Sequence, residues 1–139
     1  MHAVFVDPES PEVFDIIDVA QRRGAPVQAT TGRALAEMCD TVTPQGVLAV
    51  CGHLDVEPDD IPADAKLILV CARVRDPGNA GAIIRCADAF GADAVVISAD
   101  SVDVYNPKVV RASVGSMFHL PLVLGVQLDM IIGDLQDRG

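Results

Sequence analysis

The sequence is short of basic residues, of aromatic residues and of paired cysteines. Ten lysines and arginines stand against 20 aspartates and glutamates, so the net charge of −10 argues against a protein that coats nucleic acid through general positive charge. The four cysteines form no C-x-x-C pair, which predicts free thiols rather than a zinc site. No apolar run approaches the roughly 20 residues of a membrane helix, and no secretory signal is recognisable. We therefore expect a cytoplasmic protein.

The charge is distributed unevenly along the 139 residues. Residues 1–66 carry 12 acidic and four basic residues, whereas residues 67–139 carry eight and six. Five of the ten basic residues fall between Arg73 and Arg111. This distribution predicts a local basic site on an acidic body.

The order of strand-like and helix-like segments predicts an α/β fold in two parts. Residues 1–52 alternate short apolar runs with two helical stretches. Residues 53–65 are acidic, contain two prolines and show no periodicity, so we expect a linker there. From residue 66 onward, three continuous apolar runs alternate with helices, which predicts a parallel sheet with right-handed crossovers. A sheet of three strands leaves open edges, so we expect the chain to be a fragment of something longer.

The first candidate site is the turn and helix that follow the first of these apolar runs. Asn79 is expected to cap a helix over residues 80–90. At helical spacing, Arg85 points away from the apolar residues expected to face the core, which are Ile83, Ile84, Ala87 and Phe90. Two interpretations stay open. Arg85 is either a surface residue paired with Asp88 or a group that acts on a bound ligand.

The second candidate site is a helix that starts at Asn106 and Pro107. Lys108 and Arg111 lie one turn apart near its N-terminus, where cations oppose the helix dipole. This placement indicates an external anion such as phosphate, and flexible surface bases are the alternative. Ser113 lacks the G-x-S-x-G surroundings of a nucleophile, so it is expected to allow close approach instead. His119 is expected to be structural.

These two segments resemble the SpoU (TrmH-like) RNA 2′-O-ribose methyltransferases. Residues 75–92, with the sequence RDPGNAGAIIRCADAFGA, look like the first signature motif of that family. Residues 106–116, with the sequence NPKVVRASVGS, are similar to the segment that follows it. Residues 1–52 resemble the later part of the L30e-like RNA-binding domain that often precedes the catalytic domain.

The resemblance implies a partial L30e-like domain over residues 1–52. It also implies the N-terminal part of a SPOUT catalytic domain, a parallel sheet closed by an α/β knot, over residues 66–139. The implied partners are structured RNA, either rRNA or tRNA, and a second copy of the protein. The implied methyl donor is S-adenosylmethionine, without a metal. A non-catalytic RNA-binding module and a small nucleotide-binding α/β protein are the alternatives.

The resemblance also assigns roles to individual residues. Arg85 and Asn79 are implied to be catalytic, with Arg85 acting on the ribose 2′-OH. Because arginine stays protonated in proteins, orienting the hydroxyl or holding the adjacent phosphate is easier for Arg85 than accepting a proton. The implied contacts to RNA or phosphate are Lys108, Arg111, Arg75 and Ser113.

The cofactor-binding part of the family pattern has no counterpart in these residues. The second and third family motifs form most of the pocket for S-adenosylmethionine, and neither occurs in this sequence. We therefore predict that the 139-residue chain by itself is inactive and binds S-adenosylmethionine weakly. Titration calorimetry should show no saturable heat. Tight binding at one cofactor per chain would contradict this prediction.

Overall fold

The computed structural model describes residues 1–39, 41 and 43–137, and the chain divides into two compact units. Unit 1 is Met1–His53 and unit 2 is Leu54–Gly139. The strands and helices of unit 1 are β1 Ala3–Val6, α1 Phe14–Arg22, β2 Val27–Ala29, α2 Gly32–Met38 and β3 Val47–Val50. Those of unit 2 are β4 Ile68–Cys71, α3 Pro77–Ala89, β5 Ala94–Ser98, α4 Pro107–Ser113, β6 Leu122–Val126 and α5 Leu128–Asp137.

Unit 1 is a three-stranded sheet with two helices. β1 lies in the centre, parallel to β2 and antiparallel to β3. Gly24, in the left-handed region at φ +69°, follows α1. The Thr31 hydroxyl accepts the Ala34 N–H at 3.2 Å and caps α2, as its sequence position predicts. The small core of this unit consists of Val4, Val6, Val13, Ala20 and Ala25.

Unit 2 confirms the predicted parallel sheet. Its strands lie in the order β4-β5-β6, and both pairs are parallel. Every residue of the central strand β5 is buried. Alternate residues of β5 belong to different cores, since Val95 and Ile97 pack with α3 and α4, whereas Ala94 and Val96 pack with α5. Both faces of the sheet are therefore covered, as a parallel sheet requires.

The segment over residues 53–65, expected to be a linker, is packed against this sheet from Leu54 onward. The Val56 N–H donates to the Leu122 carbonyl at 2.9 Å. Pro58–Asp60 form a 3-10 turn, and Ile61, only 4% exposed, joins the core with Val96. A single isoleucine between two prolines carries no periodic signal, so sequence pattern alone does not reveal the burial of Ile61.

The start and the end of α3 differ from the sequence expectation. The helix starts at Pro77, and Asp76 is its N-cap, because the Asp76 carboxylate accepts the Asn79 N–H at 2.8 Å. Asn79 therefore lies inside the first turn. Phe90 is 81% exposed rather than buried. It is the C-cap, with φ −89° and ψ 2°, so the helical spacing that placed it on the core side no longer applies there.

Helices α3 and α4 are in close contact because Gly81 has no side chain. A Cβ atom at Gly81 would lie 2.5 Å from the Cβ of Ala112 and 2.6 Å from the carbonyl oxygen of Val109. Both neighbours belong to α4, and one of them is backbone. The separation of the two helices is therefore set by the absence of a methyl group at this position.

We predict that Gly81→Ala lowers the free energy of unfolding by about 2 kcal/mol, because overpacking costs more than the added helix propensity returns. The matched control is Gly133→Ala in α5, where a Cβ would meet nothing within 4 Å. That variant should gain up to about 1 kcal/mol. Urea unfolding of both variants is the measurement. A Gly81→Ala protein as stable as the control would contradict the close helix contact.

Candidate active site

The two motifs that carry the candidate residues lie on neighbouring helices. Besides the contact at Gly81, a Cβ at Gly78 would lie 3.9 Å from the Cε of Lys108, so the first turn of α4 reaches the first turn of α3. α3 follows the carboxyl end of β4 and α4 follows that of β5. Ligands of open α/β sheets bind at this edge.

Helices α3 and α4 start with the same local arrangement. Each has proline at its first position, and each has a side-chain cap. The Asn106 side chain accepts the Lys108 N–H at 2.9 Å, and Asp76 does the same for Asn79. Because Asp76 supplies the cap of α3, the exposed side-chain amide of Asn79 is not needed for it.

Arg85 is exposed on α3, and the structure does not pair it with Asp88. Asp88 instead meets His119, with 2.9 Å between Oδ2 and Nδ1. Within residues 1–39, 41 and 43–137, Arg85 takes part in no ion pair. Its position is six residues beyond Asn79, which is about 9 Å along the helix and about 120° around it. Asn79 and Arg85 therefore lie on different sides of α3.

The structure separates the remaining candidate residues into exposed and buried ones. Arg75, in the loop before α3, and Lys108 and Arg111 on α4 are exposed. Ser113 is fully buried, and its hydroxyl donates to the Val110 carbonyl at 2.8 Å. Its small size fits a helix interface as well as a ligand site, and sequence pattern does not distinguish the two. A fully buried side chain offers no surface to RNA, so the burial of Ser113 favours the helix interface over an RNA contact.

Sequence reasoning missed a polar network at the carboxyl ends of β4 and β5. The Ser98 hydroxyl accepts the Arg73 N–H at 2.9 Å and donates to Asp100 at 2.6 Å. The Arg73 guanidinium lies 2.8 Å from the other oxygen of Asp100. The Ser101 hydroxyl accepts the Val74 N–H at 3.1 Å. A serine and an aspartate directly after an apolar strand were the available sequence signal.

This network stabilises an unusual backbone conformation and a charged carboxylate. Arg73 has a φ of +54°, in the left-handed region that residues with a side chain rarely adopt. A hydrogen bond from the Ser98 hydroxyl, then one from the backbone N–H of Asp100 itself and then the Arg73 guanidinium hold the pKa of Asp100 below its ordinary value. The network thereby fixes the loop that leads into α3.

A cavity of about 370 Å3 lies beside this network, at the carboxyl ends of β4, β5 and β6. Its polar lining includes Arg73, Asp100, Gln127 and Asp129, but neither Asn79 nor Arg85. This cavity therefore does not place a methyl donor next to the candidate catalytic groups. Across the described residues no three histidine, cysteine or acidic side chains cluster as metal ligands, and no helix is long and apolar enough to span a membrane.

Comparison with known families matches both halves of the chain. The model of the SpoU rRNA Methylase family matches residues 66–139. The chain belongs to this family. A second model, described as RNA 2′-O ribose methyltransferase substrate binding, matches residues 1–55.

Named relatives and solved structures are similar to this chain over about half of their own length or less. The 23S rRNA (guanosine(2553)-2′-O)-methyltransferase RlmP of Bacillus subtilis is 37% identical over 130 residues, which cover 88% of this chain and 51% of RlmP. The mitochondrial rRNA methyltransferase 3A of Danio rerio is 42% identical over 97 residues, covering 66% of this chain and 22% of that protein.

Crystal structures show the same fold. The SpoU methyltransferase AviRb of Streptomyces viridochromogenes matches with a TM-score of 0.82 and 29% identity, over 99% of this chain and 51% of AviRb. An AdoMet-bound rRNA methyltransferase of Sinorhizobium meliloti matches with a TM-score of 0.79 and 27% identity, over 96% of this chain and 50% of that one.

The Asp88 carboxylate should make a pH-dependent contribution to stability. A hydrogen bond from Ser116, then one from His119, lowers its pKa below the ordinary 3.8. A lowered pKa in the folded state means that the contribution is present above the ordinary value and lost as the pH falls through the folded one. We predict that Asp88→Asn is less stable than the native chain at neutral pH and that this difference disappears in acid.

Urea unfolding of both chains between neutral and acidic pH is the measurement. The control is Asp134→Asn on the exposed side of α5, which should leave the pH dependence of the native chain unchanged. A difference between Asp88→Asn and the native chain that stays constant with pH would contradict the assignment.

Proposed function

We propose that the whole protein catalyses S-adenosylmethionine-dependent 2′-O-ribose methylation of structured RNA, with rRNA rather than tRNA as substrate. The observation that carries this proposal is the joint placement of the two family motifs on α3 and α4. Their exposed cations lie on neighbouring helices that start at the ligand-binding edge of a SpoU sheet. RlmP of Bacillus subtilis and a Streptomyces viridochromogenes relative, both named as 23S rRNA 2′-O-methyltransferases, support rRNA as the substrate class.

Arg85 is the proposed catalytic residue that acts on the ribose. Its guanidinium is exposed and, within the described residues, free of ion pairs, so its fixed positive charge is available to RNA. A planar guanidinium binds phosphate in a bidentate manner and donates to a hydroxyl oxygen. Arg85 thus holds the phosphate or orients the 2′-OH for attack. In either role Arg85 positions the nucleophile and does not accept the proton of the hydroxyl.

The other proposed residues position the RNA. Asn79 supports the site through its exposed side-chain amide, since the cap of α3 uses only its backbone N–H. Lys108 and Arg111 are on the exposed side of α4, and Arg75 lies in the loop before α3. These three cations are proposed to contact phosphate, where each neutralised phosphate releases counterions and adds affinity.

Similarity to the family supports the proposed methyl donor and the roles proposed for the two parts of the chain. S-adenosylmethionine supplies an electrophilic methyl group on a sulfonium. A crystal structure of AviRb in complex with AdoMet and the AdoMet-bound rRNA methyltransferase of Sinorhizobium meliloti support this choice. Residues 66–139 are proposed to be part of the catalytic domain. Residues 1–52 are proposed to be part of an L30e-like domain that binds the RNA.

Two further properties are proposed for the whole protein. It acts in the cytoplasm, and it forms a homodimer. Exposed apolar side chains in unit 2 support self-association, among them Phe90, Val114 and Phe118. A molecular mass at the monomer value at all concentrations in sedimentation equilibrium would exclude the dimer.

We predict that Arg85→Ala in the whole protein slows single-turnover methylation by about 10²- to 10⁴-fold. The melting temperature of the protein should change little, because replacement of an exposed residue typically alters the free energy of unfolding by about 0.5 kcal/mol or less. Near-normal methylation by this variant would contradict the catalytic role. A protein that binds rRNA but never methylates it would instead be an RNA-binding module.

Lys108→Ala should behave differently from Arg85→Ala. We expect weaker RNA binding and little change in methylation at saturating RNA. In a plot of the logarithm of the binding constant against the logarithm of the salt concentration, the slope should be shallower by about one. The matched control is Lys66→Ala, an exposed lysine before the amino end of β4, which should change neither quantity. Binding assays over a range of salt concentrations give the slope. Equal slopes for both lysine variants would contradict the phosphate contact.

A further inference from the structure

Tyr105 ties the beginning of unit 2 to the turn that precedes α4. Its hydroxyl oxygen accepts the backbone N–H of Leu54 at 2.7 Å and that of Asp55 at 2.9 Å. The same hydroxyl donates to the Asp55 carboxylate at 2.5 Å. One hydroxyl group thus bonds three groups of two consecutive residues that are 50 positions away in sequence. We call this arrangement the Tyr105 latch.

The latch lies within unit 2. On one side it bonds Leu54 and Asp55, the first two residues of that unit. On the other side, Tyr105 directly precedes Asn106, the N-cap of the helix that carries Lys108. The Tyr105 N–H itself donates to the Asp103 carboxylate at 2.9 Å within the same turn. The neighbouring Val104 is buried in the core.

We infer that Tyr105 is a positioning residue for RNA binding, because its hydroxyl holds the turn that leads into the helix carrying Lys108 and Arg111. This inference rests on the proposed function, in which these two cations contact RNA. Cations on a helix whose start is held in place lose less conformational freedom on binding RNA than cations on a freer one. Burial, followed by the Asp55 hydrogen bond, also raises the pKa of Tyr105, which keeps the hydroxyl protonated as a donor.

The decisive variant is Tyr105→Phe, which keeps the aromatic ring and removes only the hydroxyl. We expect the KM for rRNA to rise by about fivefold, because the loss of one hydrogen bond has an effect of this size. The kcat at saturating RNA should stay within about twofold of the native value. In the unbound protein, the Leu54 and Asp55 amides should exchange their hydrogens faster than in the native protein. The exchange experiment tests the latch independently of activity.

The matched control is Asp93→Ala at the opposite edge of the sheet. The Asp93 carboxylate accepts two consecutive backbone N–H groups, those of Lys66 at 2.7 Å and Leu67 at 2.9 Å, in the same manner as Tyr105. Its loss should lower the stability without changing the KM for rRNA. An equal rise of KM in both variants would show a general effect of lost stability and overturn the inference.

The possible results separate this inference from the proposed function. If Lys108→Ala weakens RNA binding but Tyr105→Phe leaves the KM within twofold of the native value, the positioning role is wrong and the proposed function stands. If the native whole protein neither binds nor methylates rRNA, both are wrong. A raised KM with unchanged kcat for Tyr105→Phe alone supports the positioning role.

Discussion

The contact between α3 and α4 at Gly81 is the constraint on which the candidate site depends. A methyl group there would meet Ala112 and the Val109 carbonyl at less than 3 Å. Because it is absent, the helix that carries Asn79 and Arg85 lies directly against the helix that carries Lys108. The family motifs, which occupy residues 75–92 and 106–116, become neighbours through a contact that involves no functional side chain.

The loops at the carboxyl edge of the sheet depend on a second, polar constraint. Ser98, Asp100 and Ser101 hold the loop after β4 while Arg73 adopts a left-handed backbone conformation. Hydrogen bonds that satisfy several groups at once offset the cost of such a conformation. The start of α3 is therefore defined by side chains of the next strand and loop as well as by its own cap.

Much of unit 2 could be predicted because its signals are local. Continuous apolar runs marked β4, β5 and β6, and an Asn-Pro pair marked the start of α4. The carboxylate of Asp76 competes with Asn79 for the cap of α3, and the proline between them decides in favour of Asp76. Helical spacing predicts that Phe90 faces the core, and this prediction is wrong because the spacing no longer holds where the helix ends. The buried Ile61 was missed because a single apolar residue between prolines carries no period.

The sequence by itself determined the family, the parallel sheet and the residue types that can act on RNA, because motifs, apolar runs and caps are encoded in short stretches. Only the tertiary structure decided which of those residues are accessible and what they touch. It buries Ser113, pairs Asp88 with His119 rather than Arg85, and brings Tyr105 to Leu54 and Asp55. These contacts join residues that are far apart in the chain or turn them toward a neighbouring helix, and no local pattern records the packing that creates them.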